Sequence, residues 1–333
     1  MATIGIHYVN AALQGARKQG LSCQELLLAA DIQPALLEEP DSRVHADQMT
    51  KLVQLIWQRM GDEFMGFVEP RCKNGTFALM ADTVSHCHNL DGLLRKGIHF
   101  YNLFTDGIAM SIECHGELAE VTINFTAPQL DSQQFYREFW LVIWHRFPSW
   151  YIGESIHLSS VELDYPAPEY EAELRHIFPC QLHFCQPACK LVFQRSYLDK
   201  PLVRSPLELE QFLTNSPADL MTIPGEDHSL SAQIQRMIVK DTNDGLLFPK
   251  IDVLARMLKI SPQTLHRRLI ADGTSYQQIK NHIRRDVAIS KLVKEQCSVE
   301  EVSRIAGFSE PSSFTRAFKQ WTGMSPRDYR SRD

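Results

Sequence analysis

The spacing of apolar residues divides the chain into a mixed first part and a helical last part. In the first part, helical spacing predicts helices over Val9–Gln19, Cys23–Ala30, Asp47–Met60, 77–88, Leu90–Phe104, Phe135–Tyr151 and Glu169–Ile177. Strand-like patterns occupy Ile108–Cys114, Ala119–Phe125, Ser155–Leu163 and Lys190–Phe193. We therefore expect an α+β domain in which helices pack on a mostly antiparallel sheet.

The last part of the chain is predicted to be an all-α domain. Its apolar spacing predicts seven helices, over residues 229–240, 251–258, 261–271, 275–296, 299–306, 311–321 and 326–331. Turn-forming residues at 215–217 and 223–227 precede these helices. We therefore expect a first domain over residues 1–212, a linker over 213–228 and a second domain over 229–333.

Helix starts in the last part carry specific signals. Ser261 precedes Pro262, which is the arrangement of an N-cap followed by proline at the first helical position. The segments Ser275-x-x-Gln278 and Ser298-x-x-Glu301 match the capping box. These signals fix where three of the predicted helices begin.

A short pattern occurs twice in this domain, 49 positions apart. The sequence Pro-x-x-apolar-x-Arg-x-apolar begins at Pro262 and again at Pro311, each time after a short amphipathic segment. A helix, a tight turn and a second helix form the DNA-reading helix-turn-helix unit, so the chain is predicted to contain two such units. A connecting helix of about 20 residues is about 30 Å long. Successive major grooves on one face of DNA lie about 34 Å apart, so one chain can read two of them.

The repeat also predicts which side chains meet DNA. Leu265 and Leu269, like Phe314 and Phe318, are four positions apart and must face the core. The outward positions are therefore Gln263, Thr264, His266, Arg267 and Arg268 in the first unit, and Ser312, Ser313, Thr315, Arg316 and Lys319 in the second. Gln and Arg can contact base edges through paired hydrogen bonds, and Ser or Thr can contact bases or phosphates. The candidates for contact with the DNA backbone are Thr264, Arg268, Lys250, Arg284, Arg285, Ser313 and Lys319.

Formal charge is distributed unevenly along the 333 residues. The chain has a net charge of -6, but the segment from Ser229 to the end holds 18 Lys or Arg and 11 Asp or Glu. The preceding residues hold 16 basic and 29 acidic side chains. A basic domain after an acidic one is the pattern that phosphate binding by the second domain would produce.

Several classes of protein are disfavoured by the sequence. The longest aromatic-rich run, Phe135–Tyr151, contains Arg137, Glu138, His145 and Arg146, so it cannot cross a bilayer. The N-terminus shows no secretory signal, so we expect a cytoplasmic protein. The common motifs of hydrolases, nucleotide-binding loops and dinucleotide binding are missing, so we expect no enzymatic activity and no cofactor.

The second domain resembles the DNA-binding domain of the AraC/XylS family of transcription regulators. The resemblance is carried by three segments, Ile305-Ala306-Gly307-Phe308-Ser309, Phe314-Thr315-Arg316-Ala317-Phe318-Lys319 and Gly323-Met324-Ser325-Pro326-Arg327-Asp328-Tyr329-Arg330. By position, it implies base contacts from Gln263, His266, Arg267, Ser312, Thr315 and Arg316. It also implies double-stranded operator DNA and RNA polymerase as partners. Pro311 replaces a contacting polar residue of some relatives, so the second unit is expected to read fewer bases.

The first domain resembles the N-terminal domain of ornithine-utilisation-type regulators of that family. Short segments carry this resemblance, among them Asp41-Ser42-Arg43-Val44, Gly61-Asp62-Glu63-Phe64-Met65-Gly66 and Phe178-Pro179-Cys180-Gln181-Leu182-His183-Phe184. It implies a domain that senses a small-molecule effector and forms a homodimer. Aromatic residues are concentrated in this domain, and an apolar or fatty-acid-like effector would suit them. The candidates to line its pocket are Phe100, Phe104, Trp140 and Trp144, with ordinary core packing as the alternative.

A cluster of three cysteines suggests a second hypothesis about what the first domain senses. Cys180, Cys185 and Cys189 lie close together in sequence with His176 and His183 nearby, so a metal- or redox-sensing regulator is the alternative to sensing of an organic effector. The spacing of the three cysteines fits no common zinc motif, and adjacent positions of a strand point to opposite faces. Buried or idle thiols, with no metal bound, are therefore the expected outcome.

Overall fold

The computed structural model describes residues 3–40, 42–217, 230–239, 245–271, 274–293 and 295–330. It forms two compact units, and neither is one continuous stretch of sequence. The body unit consists of Asn10–Ala30 and Thr50–Asp227, and the tail unit of Met1–Val9, Asp31–Met49 and His228–Asp333. Residues 218–228 of the predicted linker lie outside the described part, so the division at that point stays a prediction.

Residues 3–40 and 42–217 contain both helices and strands. The helices are α1 (Ile6–Lys18), α2 (Cys23–Ala29), α3 (Ala46–Met60), α4 (Thr76–Ser85), α5 (Leu90–Phe104), α6 (Phe135–Ile152), α7 (Glu171–Ile177) and α8 (Pro206–Asn215). The strands are β1 (Thr3–Gly5), β2 (Arg43–His45), β3 (Ile108–His115), β4 (Leu118–Phe125), β5 (Leu158–Glu162), β6 (Gln181–His183) and β7 (Cys189–Gln194). Helix α8 was not predicted, and it includes the first three residues of the predicted linker.

The body unit contains a five-stranded sheet in the order β3-β4-β7-β5-β6. Every neighbouring pair is antiparallel except β5 and β6, which are parallel. The predicted α+β class with a mostly antiparallel sheet is therefore confirmed. The predicted strand at Ser155–Leu163 is shorter in the structure, and the three-residue strand β6 was too short to show an alternation.

Helix α6 is buried on almost every side, and the charged side chains within its aromatic run are paired inside the core. The Arg137 side chain is 6% exposed and pairs with Asp131 at 3.3 Å and with Asp164 at 3.0 Å. The Glu138 carboxylate accepts hydrogen bonds from the hydroxyl groups of Tyr165, at 2.7 Å, and Tyr170, at 3.0 Å. A buried charge is tolerated when it is paired and hydrogen-bonded, so these residues are compatible with the core position of the helix.

The tail unit contains the seven predicted helices, a result that confirms the all-α prediction for the described residues after position 229. They are α9 (Leu230–Val239), α10 (Ile251–Met257), α11 (Pro262–Ala271), α12 (Tyr276–Val293), α13 (Val299–Ile305), α14 (Pro311–Thr322) and α15 (Pro326–Arg330). The Ser261 Oγ accepts from the Thr264 N–H at 3.1 Å, and the Ser275 Oγ accepts from the Gln278 N–H at 3.2 Å, so both serines act as the predicted N-caps. Ser298 and Glu301 form both halves of a capping box.

A small ribbon formed by β1 and β2 also belongs to the tail unit. The two strands are antiparallel, with Thr3 opposite His45. The Thr3 hydroxyl donates to Asp286 Oδ1 at 2.7 Å, and the Ser42 hydroxyl donates to the Thr322 carbonyl at 2.8 Å. The Tyr329 hydroxyl donates to the Arg43 carbonyl. The beginning of the chain thus completes the unit built around its last helices.

Candidate nucleic-acid interface

The first helix-turn-helix unit consists of α10, a turn and α11. Lys259 adopts a left-handed backbone conformation (φ 55°) in the turn, which ends α10 and redirects the chain toward α11. Leu265 and Leu269 are 0% and 1% exposed. They pack into a core with Leu254 of α10 and with Ile279 and Ile283 of α12. This packing holds α11 against the connecting helix and leaves its opposite face to solvent.

The second unit consists of α13, a turn and α14. Gly307 in the turn has φ 74°, and a Cβ there would lie 2.8 Å from the Leu246 carbonyl oxygen, so the turn requires glycine. Phe314 and Phe318 are both 0% exposed, and their ring centroids lie 5.5 Å apart. The inward side of each recognition helix is therefore the one predicted from the repeat.

The structure leaves the proposed base-contact side chains on the outward faces. Gln263, His266 and Arg267 of α11 are exposed, as are Ser312 and Arg316 of α14. Thr315 is half-buried, and its hydroxyl donates to the Pro311 carbonyl of its own helix at 2.9 Å. Because that bond uses the hydroxyl proton, Thr315 can present only an oxygen acceptor while the bond persists.

The candidates for contact with the DNA backbone fall into two groups. The exposed or partly exposed ones are Lys250, Thr264, Arg268, Ser313 and Lys319. The Arg284 guanidinium instead lies over the rings of Phe248, at 4.5 Å, and Phe308, at 4.9 Å. Its Nε donates to the Ala306 carbonyl at 3.2 Å. Arg285 is also half-buried and lies 3.5 Å from the Asp286 carboxylate, so both arginines are engaged within the tail unit.

The two recognition helices differ at their N-termini. Ser261 caps α11 with a neutral hydroxyl. The residue before α14 is Glu310, whose side chain makes no cap hydrogen bond and instead accepts from the Ser312 hydroxyl at 3.2 Å. A helix N-terminus ordinarily favours phosphate, and a carboxylate at this position opposes it.

Neutralising Glu310 is expected to tighten DNA binding. In Glu310→Gln, the loss of one negative charge beside phosphate should raise affinity for unrelated duplexes several-fold at low salt, and the gain should shrink as salt screens the charge. Fluorescence anisotropy over a salt series measures the effect. Glu210→Gln in α8 removes the same charge from an exposed position of the body unit and serves as the matched control. If the wild type, Glu310→Gln and Glu210→Gln bound DNA with equal affinity, Glu310 would not face DNA.

Two of the three clustered cysteines, Cys180 and Cys189, are poorly suited to redox sensing, whereas Cys185 is exposed. Among the described residues, no group of three or more His, Cys, Asp or Glu side chains is placed to hold a metal ion. Burial raises the pKa of the Cys180 thiol to about 12, and burial also raises the pKa of Cys189, whose thiol donates to Asp164 Oδ1 at 3.3 Å. Redox-sensing cysteines need an accessible thiolate, and raised pKa values disfavour it.

The body unit contains a cavity of about 330 Å³, within the size range of small-molecule sites. Its aromatic walls include Trp57, Phe64, Tyr101, Tyr136, Phe139 and Trp140. Its polar lining residues are Gln54, Gln58, Glu63, Asn74 and Ser216. Of the four aromatic residues expected to line a pocket, Trp140 does so, whereas Phe100, Phe104 and Trp144 are not among the lining residues.

Glu63 is the charged residue of this cavity, and it was not identified from the sequence. Its carboxylate accepts hydrogen bonds from the backbone N–H groups of Gly75, at 2.6 Å, and Phe77, at 2.8 Å. Burial raises the pKa of Glu63 above its ordinary value, and these hydrogen bonds partly oppose the rise. Glu63 lies within the short segment 61–66 that carries the family resemblance, but a single carboxylate there gives no signal of a site.

Comparison with known proteins gives matches over both parts of the chain. The family described as "Arabinose-binding domain of AraC transcription regulator, N-term" matches residues 20–202, and a "Helix-turn-helix domain" family matches residues 254–332. The ornithine utilization regulator of Pseudomonas aeruginosa is 25% identical over 98% of this chain and 96% of its own length. The regulator VqsM of the same organism is 36% identical over 25% of this chain and 26% of its own.

A solved structure, that of the transcriptional regulator CdpR from Pseudomonas aeruginosa, aligns over 97% of this chain and 96% of its own, with 20% identity and a TM-score of 0.33. In the described part of the chain, no helix has the length and apolar character needed to cross a membrane. The N-terminal family match covers more than half of the chain, and the helix-turn-helix match covers both recognition helices. The chain therefore belongs to the AraC family of transcription regulators, with an N-terminal ligand-binding domain and a C-terminal helix-turn-helix DNA-binding domain.

Proposed function

We propose that the tail unit reads two successive major grooves of an operator through α11 and α14. The observation that carries this proposal is the pair of recognition helices, each with two fully buried apolar residues and an exposed polar face. The connecting helix α12 has 18 residues, so it is about 27 Å long and comparable with one turn of DNA. The excess of basic over acidic residues in this part of the sequence supports binding to phosphate.

The proposed base contacts are those of Gln263, His266, Arg267, Ser312, Thr315 and Arg316. Lys250, Arg268 and Lys319 are assigned to phosphates because their side chains are exposed, with Thr264 and Ser313 as weaker polar contacts. Arg284 and Arg285 are assigned to packing within the tail unit. Because α14 begins with Glu310 and Pro311 and carries one exposed arginine, we assign more base discrimination to α11.

The body unit is proposed to bind the effector in its cavity and to form a homodimer. A dimer would contact twice the length of operator DNA, and its affinity for that DNA would rise through effective concentration. Effector binding would shift the population between DNA-competent and incompetent arrangements. The regulator would act at the bacterial nucleoid in the cytoplasm, through RNA polymerase and without catalysing a reaction. The presence of regulators among its relatives supports this assignment.

Selection from a random duplex library tests the DNA-reading function. The full-length chain is incubated with the library at fixed salt, and the bound sequences are determined. The expected motif has two elements whose centres lie about 10–10.5 base pairs apart. An Arg267→Ala/Arg316→Ala double variant serves as control, and it should still bind at low salt but enrich no motif. A wild-type pool that stays random would refute sequence-specific regulation.

A further inference from the structure

The chemistry of the cavity in the body unit restricts which effector it can hold. We propose that this cavity binds a compact organic cation, a primary or quaternary ammonium compound, with the charge held between the Glu63 carboxylate and the aromatic walls. This proposal rests on the proposed function, because it names the class of ligand that the body unit senses. It replaces the fatty-acid-like effector expected from the aromatic content of the sequence.

The charge of the lining is the first argument. Glu63 is the one formally charged side chain among the residues that line the cavity. A ligand carboxylate would therefore meet a like charge with no lysine, arginine or histidine in the lining to balance it. A buried charge is costly unless it is paired, so an ammonium group is stabilised where a carboxylate is repelled.

The arrangement of the Glu63 carboxylate is the second argument. Each of its oxygens already accepts one backbone N–H, from Gly75 or Phe77, and these bonds fix its orientation. The Cys72 thiol also donates to Oε2, at 3.8 Å. A carboxylate has about four acceptor positions, two on each oxygen, so capacity remains on Oε1 for a ligand donor. The site is thus preorganised to accept hydrogen bonds from an ammonium group or to face a quaternary one.

The aromatic walls are the third argument. The ring centroids of Tyr101 and Trp140 lie 4.8 Å apart, edge to face, and Phe64 and Tyr136 each lie 6.2 Å from Trp140. These four side chains are between 2% and 4% exposed. Aromatic faces attract cations most strongly when the site is desolvated, and such cages recognise ammonium ligands. A purely apolar ligand would use the walls but would leave the charge of the Glu63 carboxylate without a balancing cation.

The overall charge of the body unit is consistent with this ligand class. The unit contains 15 basic and 24 acidic side chains. A negative field of this kind raises the local concentration of cations and lowers that of anions. The buried indole N–H of Trp57 has no hydrogen-bond partner within the described residues, so the ligand can also offer an acceptor there.

Isothermal titration of the full-length chain with matched probes tests the proposal. Choline is compared with its neutral isostere 3,3-dimethylbutan-1-ol, and phenethylamine with 3-phenylpropanoate. We expect at least one cation to bind at least tenfold more tightly than its partner. Equal or tighter binding of the neutral or anionic partners would overturn the proposal, as would failure of both cations to bind at millimolar concentration.

Two variants test whether the cation binds in this cavity. Gln58→Lys adds a positive charge to an exposed lining residue of α3, so the fold should persist while cation affinity falls at least tenfold; Gln58→Met is its neutral control. Glu63→Gln should remove the preference for the cation over its partner. Cation binding that is unchanged in Gln58→Lys would overturn the assignment to this cavity.

DNA binding by the same preparations is measured separately. Absence of cation preference in the wild type, with intact operator binding, would overturn only the ligand class. Absence of operator binding in the wild type would overturn the proposed function itself, whatever the titrations show.

Discussion

Replacing Phe314 by alanine is expected to lower the free energy of unfolding by about 3–5 kcal/mol. The side chain is 0% exposed, and its ring centroid lies 5.6 Å from that of Phe308 and 5.5 Å from that of Phe318. Truncation leaves a cavity between the turn and α14, because neighbouring aromatic rings cannot collapse fully into the space. Urea unfolding monitored by circular dichroism measures the change.

Ile270→Ala is the matched control for this variant. It also truncates an apolar residue of a recognition helix, but Ile270 is 60% exposed, so its effect should stay within about 0.5 kcal/mol. The Phe314 variant should also lose operator affinity, since α14 would no longer be held in place. A loss below about 1 kcal/mol would show that Phe314 does not anchor α14.

Replacing Arg267 by alanine is expected to reduce the preference for the operator over unrelated DNA by about 5- to 150-fold, the equivalent of about 1–3 kcal/mol for a bidentate base contact. Arg267 is exposed on the outward face of α11, opposite the buried Leu265 and Leu269. Its guanidinium presents two parallel N–H groups that match the acceptors of guanine. Competition binding at constant salt measures the preference.

Lys319→Ala provides the contrast, because an exposed lysine that meets phosphate should contribute to all sequences alike. This variant should weaken binding uniformly and reduce the slope of log affinity against log salt by about 1. Arg17→Ala in α1 removes an exposed charge from the body unit and should change neither quantity. If Arg267→Ala behaved like Lys319→Ala, Arg267 would be a phosphate contact and not a base contact.

The tail unit could be predicted from sequence because its signals are local. A capping serine, a proline at the first helical turn and an apolar pair four positions apart all act within one or two helical turns. The helices therefore begin within about one residue of their predicted positions. The repeat also predicts correctly which side of α11 and α14 is buried.

Interactions between distant residues could not be predicted in the same way. The ribbon of β1 and β2 joins the tail unit through Ser42 and Thr322, which are 280 positions apart. Its strands have three residues each, too few to show an alternation. The Arg284 guanidinium lies over Phe248 and Phe308, which only the fold brings near it, so its packing within the tail unit could not be predicted from the sequence.

The cavity could not be predicted from the sequence for the same reason, because its lining residues are distant from one another in the chain. Trp57, Glu63, Tyr101 and Trp140 come from separate segments, and no spacing in the sequence links them. Trp140 was a candidate because aromatic residues are concentrated in α6. Glu63 gave no signal, because its significance depends on the absence of a balancing basic side chain in the lining.

The central claim is that one chain reads two successive grooves with α11 and α14. Guanine-methylation interference on a selected operator tests it most directly, because methylation of guanine N7 blocks contacts in the major groove. Two clusters of interfering guanines, centred about 10–10.5 base pairs apart for each protein chain, are the expected result. The cluster assigned to α14 should weaken in Arg316→Ala, and the other should weaken in Arg267→Ala. A single cluster for each chain, or interference that neither variant changes, would contradict the claim.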